Sequence, residues 1–182
     1  MALISTNPAT FEEIKSYREH SLIEVNDILN QIISAQNKWS LLELDFRLEC
    51  ISQISGILLD RKREYASIMA DEMGKPLAQG IGEIEKCAWL CDYYKKYSKK
   101  FLTDKLIDTE YHKSLVTIQP IGLILGIMPW NFPFWQVFRF AIPALTAGNG
   151  VILKHASNVQ GCAFAIESCF KEAGFPNNIF RN

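Results

Sequence analysis

Two short apolar segments separated by a helical pattern constrain the fold of this chain more than any other feature. They span Gly122 to Ile127 and Val151 to Leu153, and both are typical of strands covered on both faces. Helices are predicted between and after them, over Phe134 to Thr146 and about Asn158 to Ala173. The order of strand, helix, strand and helix predicts an α/β fold with a parallel sheet, in which ligands bind beyond the carboxyl ends of the strands. The site should therefore lie after Ile127 and after Leu153.

The first hundred residues are predicted to be mostly helical, because apolar residues recur there at three- and four-residue spacing. One amphipathic helix runs from Ser21 to about Trp39, and a second ends near Asp60. A third begins at Glu64 and ends at the stop signal Gly74-Lys75-Pro76, and a fourth spans about Leu77 to Phe101. Further along, the β-branched segment Ser114 to Ile118 predicts an edge strand or an extended arm.

Charge and hydropathy exclude several classes of partner. The formal net charge is −1, which gives no overall electrostatic reason to expect nucleic acid, a membrane surface or a polyanion. The longest unbroken apolar stretch, around Leu123 to Met128, is far too short to span a bilayer. No charged and apolar leader opens the sequence, so we expect a cytoplasmic protein.

Five cysteines are present, and they lie within apolar patterns of helical period rather than in a small disulfide framework. They are Cys50, Cys87, Cys91, Cys162 and Cys169. Their odd number and setting predict reduced, buried thiols. Cys87 and Cys91 are one helical turn apart, but no second pair at ligand spacing accompanies them. We therefore expect these two to pack in the core and predict no metal site.

A turn after the first predicted sheet strand carries the clearest candidate for chemistry. There Asn131 stands between Pro129 and Pro133, which restrict the backbone on both sides. The Asn131 amide offers an NH2 donor that can stabilise negative charge on a carbonyl oxygen, an effect worth roughly 3–4 kcal/mol per donor. The alternative is a packed turn whose asparagine caps the next helix. On local physics alone, the cap is the favoured interpretation.

Four segments around this turn have sequences that are specific in combination. They are Ile127 to Pro133, Pro143-Ala144-Leu145, Ala147-Gly148-Asn149 and Leu153-Lys154. Together they resemble the aldehyde dehydrogenase superfamily, and the resemblance extends over essentially the whole chain. Further matching segments are Asn7 to Thr10, Glu72 to Pro76 and Glu172 to Pro176. Within the superfamily, Phe134 to Val137 and Lys154 to Ala156 resemble the bacterial succinate-semialdehyde dehydrogenases.

The resemblance implies an NAD(P)-dependent oxidoreductase that converts an aldehyde, most simply succinate semialdehyde, to its acid. In that family a cysteine thiolate attacks the aldehyde, hydride passes to the nicotinamide, and the thioester left behind is hydrolysed. Asn131 then matches the side chain that shares the oxyanion hole with the cysteine's backbone N–H. Ile127, Met128, Pro129 and Trp130 match the stretch that lines the nicotinamide and its ribose. Lys154 matches the lysine that binds the adenosine ribose.

The choice between NAD and NADP stays open in the sequence. By position, the resemblance extends the cofactor-binding assignment to His155, Ala156 and Ser157. Many NAD-preferring relatives have a glutamate where this chain has Ser157, and that carboxylate repels a 2′-phosphate. A neutral hydroxyl removes this repulsion, so NADP is admitted beside NAD.

Arg139 is the candidate for substrate recognition. It lies on the helix after the Asn131 turn, among the apolar residues Val137, Phe138, Phe140 and Ile142. One interpretation is a surface arginine with a buried stem. The family resemblance implies the other, in which the guanidinium binds the distal carboxylate of succinate semialdehyde by a bidentate contact.

The resemblance also implies an incomplete unit. Residues 1–182 would form the N-terminal portion of the cofactor-binding domain, with part of its Rossmann-like sheet and an oligomerisation-type strand arm near 109–120. The catalytic domain, with its cysteine nucleophile and general-base glutamate, would be absent, so we expect no turnover by this chain alone. Full-length relatives form homo-oligomers. The alternative is a non-catalytic remnant or interaction fragment that needs a partner half or a homologue.

Overall fold

The computed structural model describes residues 2–182, and these contain seven strands and six helices. The strands are β1 (Ala2–Thr6), β2 (Glu13–Arg18), β3 (Lys105–Ile107), β4 (Ser114–Val116), β5 (Leu123–Met128), β6 (Gly150–His155) and β7 (Phe180–Arg181). The helices are α1 (Leu22–Trp39), α2 (Leu44–Asp60), α3 (Lys62–Met73), α4 (Leu77–Leu102), α5 (Pro133–Thr146) and α6 (Gln160–Glu172).

A parallel sheet forms from the three strands that flank α5 and α6, in the order β5-β6-β7. Helix α5 connects β5 to β6, and α6 connects β6 to β7, so each is the crossover that a parallel pair of strands requires. The predicted α/β fold and its strand, helix, strand and helix order are therefore confirmed. The register places Ile127 opposite Lys154 and Met128 opposite His155.

Helix α5 packs tightly against β5 because Gly126 has no side chain. A β-carbon at Gly126 would lie 2.2 Å from the ring of Phe140, well inside van der Waals contact. On the other side of α5, Phe134 and Phe138 are fully buried and stack with their rings nearly parallel. The stack continues from Phe138 to Phe170 of α6, which joins the two crossover helices in one core.

The four predicted N-terminal helices are all present, and α3 begins at Lys62 rather than Glu64. The start of α1 is a capping box, in which Ser21 and Glu24 satisfy each other's backbone N–H groups. Arg18 adds two contacts to the Glu24 carboxylate, at 2.5 and 2.9 Å. Hydrogen bonds from Arg18 and Ser21 lower the pKa of Glu24 to about 2.

Two hairpins add strands that the hydrophobic pattern did not predict. Strands β1 and β2 pair antiparallel within the N-terminal region, and β3 pairs with the predicted strand at Ser114. That strand, β4, ends at Val116, two residues earlier than expected. Every side chain of β3, and nearly every one of β2, is exposed, so neither strand carries the apolar face that would identify it.

All five cysteines are free and buried, as predicted. Cys87 and Cys91 lie in the main hydrophobic core, which confirms that they pack there. In the described part of the chain, no helix combines the length and apolar character needed to cross a bilayer.

Candidate functional site

The carboxyl ends of β5 and β6 lie side by side, and both are open to solvent. Ile127 is 69% exposed, and the neighbouring Lys154 is also exposed. Pro129 and Trp130 follow β5 and are exposed as well, whereas Met128 is partly buried. The structure thus brings the predicted nicotinamide-lining stretch next to the predicted ribose-binding lysine.

Asn131 lies in the turn between β5 and α5 with its side chain exposed. The N-cap of α5 is Phe132, and no side chain at that position caps the helix. Within residues 2–182 the Asn131 side-chain amide makes no hydrogen bond, while its backbone carbonyl accepts one from Lys75 Nζ at 2.9 Å. The interpretation of Asn131 as a helix cap is therefore wrong, and its amide is free to face a ligand.

Glu83, on α4, caps α5 in its place. Its Oε1 accepts hydrogen bonds from the backbone N–H groups of Phe134 and Trp135, both at 2.9 Å. Its Oε2 forms an ion pair with Lys75, and both residues are buried, at 4% and 7% exposure. The ammonium of Lys75 also lies 4.0 Å from the ring centroid of Phe132. The residues on both sides of this turn are thus held by one buried carboxylate and one buried ammonium.

Glu72, at the end of α3, makes the equivalent contact with α6. Its two carboxylate oxygens accept from the backbone N–H groups of Gly161, at 2.7 Å, and Cys162, at 2.9 Å. Ser5 of β1 donates a third hydrogen bond to Glu72, at 2.6 Å. Sequence reasoning missed Glu72 and Glu83. The available signal was a glutamate on the apolar side of each helix, where an unpaired charge is costly.

An open groove lies beside the end of β6, with a volume of 390 Å³. Lys154 and Ser157 line it together with Gln160 and Phe164 of α6 and Tyr17 and Arg18 of β2. Lys154 and Ser157 are both exposed, and Ala156 between them is partly buried. An ammonium and a hydroxyl facing one open groove are suited to binding sugar hydroxyls or a phosphate.

His155 borders this groove but has its ring in the interior, with 2% of its surface exposed. Its Nδ1 accepts a hydrogen bond from the Ala156 N–H at 2.9 Å, so Nε2 carries the proton and donates to the Pro133 carbonyl at 3.0 Å. Burial lowers the pKa of His155, which favours the neutral ring. The ring therefore joins the end of β6 to the start of α5. A contact between His155 and adenosine stays a prediction.

Arg139 is exposed on α5, about 9 Å along the helix axis from Pro133. In the part of the chain that the structure describes, its guanidinium forms no ion pair. This geometry fits a surface arginine, and it fits equally well an arginine that binds the carboxylate of a substrate. The substrate role stays a prediction.

Comparison with known proteins gives a consistent result over the whole chain. The model of the aldehyde dehydrogenase family matches residues 2–182. A probable NADP(+) succinate-semialdehyde dehydrogenase from Synechocystis is 43% identical over 181 residues, which are 100% of this chain and 40% of that protein. The NAD(P)+ succinate semialdehyde dehydrogenase Sad of Escherichia coli is 38% identical over 97% of this chain and 38% of its own length.

The fold also matches solved structures. Succinic semialdehyde dehydrogenase from Streptococcus pyogenes, solved with NADP+ as the cofactor, superimposes with a TM-score of 0.95 at 30% identity. The match covers 100% of this chain and 40% of that protein, so the chain spans about 40% of the length of these relatives. The family model extends over essentially every residue. This chain belongs to the aldehyde dehydrogenase family.

Proposed function

We propose that this chain supplies the oxyanion donor and part of the cofactor site of an NAD(P)-dependent dehydrogenase that oxidises succinate semialdehyde to succinate. The observation that carries the proposal is the exposed Asn131 amide in an anchored turn, at the sheet edge where Ile127 lies beside Lys154. The similar succinate-semialdehyde dehydrogenases support the choice of substrate. The cytoplasmic location expected from the sequence stays a prediction.

Each residue has a chemical task that its position allows. The Asn131 NH2 group donates to the aldehyde oxygen as negative charge develops there, and it needs little reorganisation because its turn is anchored. The Lys154 ammonium and the Ser157 hydroxyl face one groove and would hold the adenosine ribose. When bound, a nicotinamide cofactor supplies the hydride acceptor. Ile127 and Trp130 present exposed apolar surface on which such a ring can pack.

The proposal covers both cofactors. Ser157 is exposed and uncharged, so it accepts either a ribose hydroxyl or a 2′-phosphate without electrostatic repulsion. The relatives support this breadth, because one is named for NADP(+) and another for NAD(P)+.

None of the five thiols is suited to act as the nucleophile. The reactive form of cysteine is the thiolate, which burial disfavours. Burial raises the pKa of Cys169 to about 12, and it raises the pKa values of Cys87, Cys91 and Cys162 well above the ordinary range. The pKa of Cys50 is raised for the same reason. We infer that the nucleophile comes from sequence outside residues 1–182.

The 182-residue chain alone is therefore expected to form no NADH or NADPH from succinate semialdehyde. We name the fusion of residues 1–182 to the C-terminal remainder of the Synechocystis relative the joined enzyme. This fusion is expected to be active. Mixing the two halves as separate chains tests whether an active enzyme assembles from two polypeptides. Aldehyde-dependent cofactor reduction by the isolated chain would contradict the proposal.

A second candidate function is a non-catalytic fragment that binds a partner half or a homologue. Within residues 2–182, β5 and β7 each pair on one side only, and the β3–β4 hairpin pairs with no other strand. Such open edges bind further strands readily. A stable complex with the C-terminal half that has no activity would favour this candidate, and restored activity would favour the enzyme.

Arg139→Ala in the joined enzyme tests the substrate assignment. We expect KM for succinate semialdehyde to rise roughly 10- to 100-fold, because a charge-assisted contact with the distal carboxylate is lost. KM for butanal, which has no second carboxylate, should change little. Steady-state kinetics with both aldehydes measure this difference, and equal increases for the two substrates would exclude the carboxylate role.

A further inference from the structure

The Lys75–Glu83 ion pair is the most deeply buried pair of opposite charges among residues 2–182. The two side chains are 6% and 1% exposed. Lys75 lies in the connection between α3 and α4, whereas Glu83 lies on α4, a helix of 26 residues. Burying two charges is costly, and apolar side chains of similar volume often stabilise a fold as well or better. Packing alone therefore does not explain this pair.

What an apolar pair cannot do is form hydrogen bonds with the backbone of the Asn131 turn. Lys75 donates to the Asn131 carbonyl at 2.9 Å, on the strand side of the turn. Glu83 accepts from the N–H groups of Phe134 and Trp135, on the helix side. The pair thus holds the backbone at two points that flank Phe132 and Pro133. Both contacts are made from α4 and from the connection that precedes it.

These contacts determine where the Asn131 side chain can be. Its amide has no hydrogen-bond partner among the described residues, so no hydrogen bond of its own orients it. Its position depends on the backbone of residue 131 and on the first turn of α5. An oxyanion donor is effective only when its N–H lies within hydrogen-bond distance of the developing charge, and a 1 Å displacement costs roughly 100-fold in rate.

We propose that Lys75 and Glu83 are positioning residues, which hold the backbone of the Asn131 turn so that the Asn131 amide points at the reacting carbonyl oxygen. Neither side chain is placed in contact with substrate. The proposal rests on the proposed function, in which Asn131 is the oxyanion donor.

The double variant Lys75→Met/Glu83→Gln tests the proposal with the least damage to folding. It removes both charges together, keeps both side-chain volumes close to the original, and retains an amide oxygen that can cap α5. The matched control is Lys62→Met/Glu85→Gln, which removes an exposed ion pair of 2.7 Å from α3 and α4. Two quantities are measured for each: kcat and KM of the joined enzyme, and backbone NMR order parameters of residues 130–132 in the 182-residue chain.

We expect kcat of the double variant to fall roughly 10- to 100-fold, with KM for succinate semialdehyde within about twofold of the original. The order parameters should fall from about 0.85 towards 0.6 in the turn, and the control should change neither quantity. A merely structural pair would lower the melting temperature and leave kcat of the folded enzyme unchanged.

A decrease in kcat smaller than about fivefold, or unchanged order parameters, would overturn the proposal. If the double variant does not fold, Lys75→Leu/Glu83→Gln, which also removes both charges together, is measured by the same two criteria. If the unsubstituted joined enzyme folds but oxidises no aldehyde, the proposed function fails. The order parameters then decide by themselves whether the pair holds the turn.

Discussion

Asn131→Ala is expected to lower kcat of the joined enzyme roughly 100- to 1,000-fold, with little change in KM for succinate semialdehyde. The size of this decrease in kcat follows from the loss of one preorganised donor to a developing oxyanion. That loss costs about 2.7–4 kcal/mol in enzymes that use such a donor. The effect falls on kcat because the hydrogen bond strengthens as charge develops, and the ground-state carbonyl oxygen carries little charge. Steady-state kinetics at saturating cofactor measure it.

Stability separates this role from a structural one. The Asn131 side chain is exposed and caps no helix, so the Asn131→Ala chain should melt at the same temperature as the original. Loss of a true N-cap would cost about 1 kcal/mol. The matched control is Asn177→Ala, an exposed asparagine in the turn before β7, which should change neither kcat nor stability. A decrease in kcat of less than about tenfold would exclude Asn131 as the oxyanion donor.

Glu72→Ala is expected to lower the free energy of unfolding of the chain by about 2–4 kcal/mol. The substitution removes the acceptor from two backbone N–H groups at the start of α6 and from the Ser5 hydroxyl. A buried donor left without an acceptor costs roughly 1–3 kcal/mol, and the N–H of Gly161, which is only partly buried, can recover some of that from water. Urea denaturation followed by circular dichroism measures the change.

Two further variants accompany Glu72→Ala, one as a control and one as a second test of the same contact. Glu64→Ala, also on α3, removes a carboxylate that is 61% exposed and 3.9 Å from Arg61, and it should change stability by less than about 0.5 kcal/mol. Gly161→Ala should also be destabilising, because a β-carbon there would lie 2.9 Å from the Glu72 carboxylate, which three hydrogen bonds hold in place. A Glu72→Ala chain as stable as the Glu64→Ala chain would show that α6 does not depend on this cap.

The central α/β unit could be predicted because its information is local. Apolar runs typical of strands covered on both faces identified β5 and β6, and the Gly and Pro signals placed the ends of the helices within a few residues. For β5 the expectation of cover on both faces is wrong within residues 2–182, because Leu125 and Ile127 are 58% and 69% exposed. Parallel pairing followed from the intervening helices, and the carboxyl ends of the strands then had to meet at one edge. That the ends of these two strands lie side by side was thus predicted before any contact was known.

The N-terminal hairpin shows where local information is insufficient. Strands β1 and β2 pair across the turn that contains Asn7, and β2 is mostly exposed. Without a buried face, hydrophobic periodicity gives no strand signal. The contact that holds the hairpin is seen only in the tertiary structure, in which Ser5 is fully buried and donates a hydrogen bond to Glu72, 67 residues away.

The sequence by itself determined the fold class, the family and the position of Asn131 at the end of a strand. Those conclusions depend on residue types and on spacing along the chain. Only the tertiary structure decided what Asn131 does not do, because Glu83, 48 residues earlier in the sequence, occupies the capping position that Asn131 was expected to fill. The physical reason is that buried polar groups must be paired, and the partner that satisfies each one is set by how the helices pack.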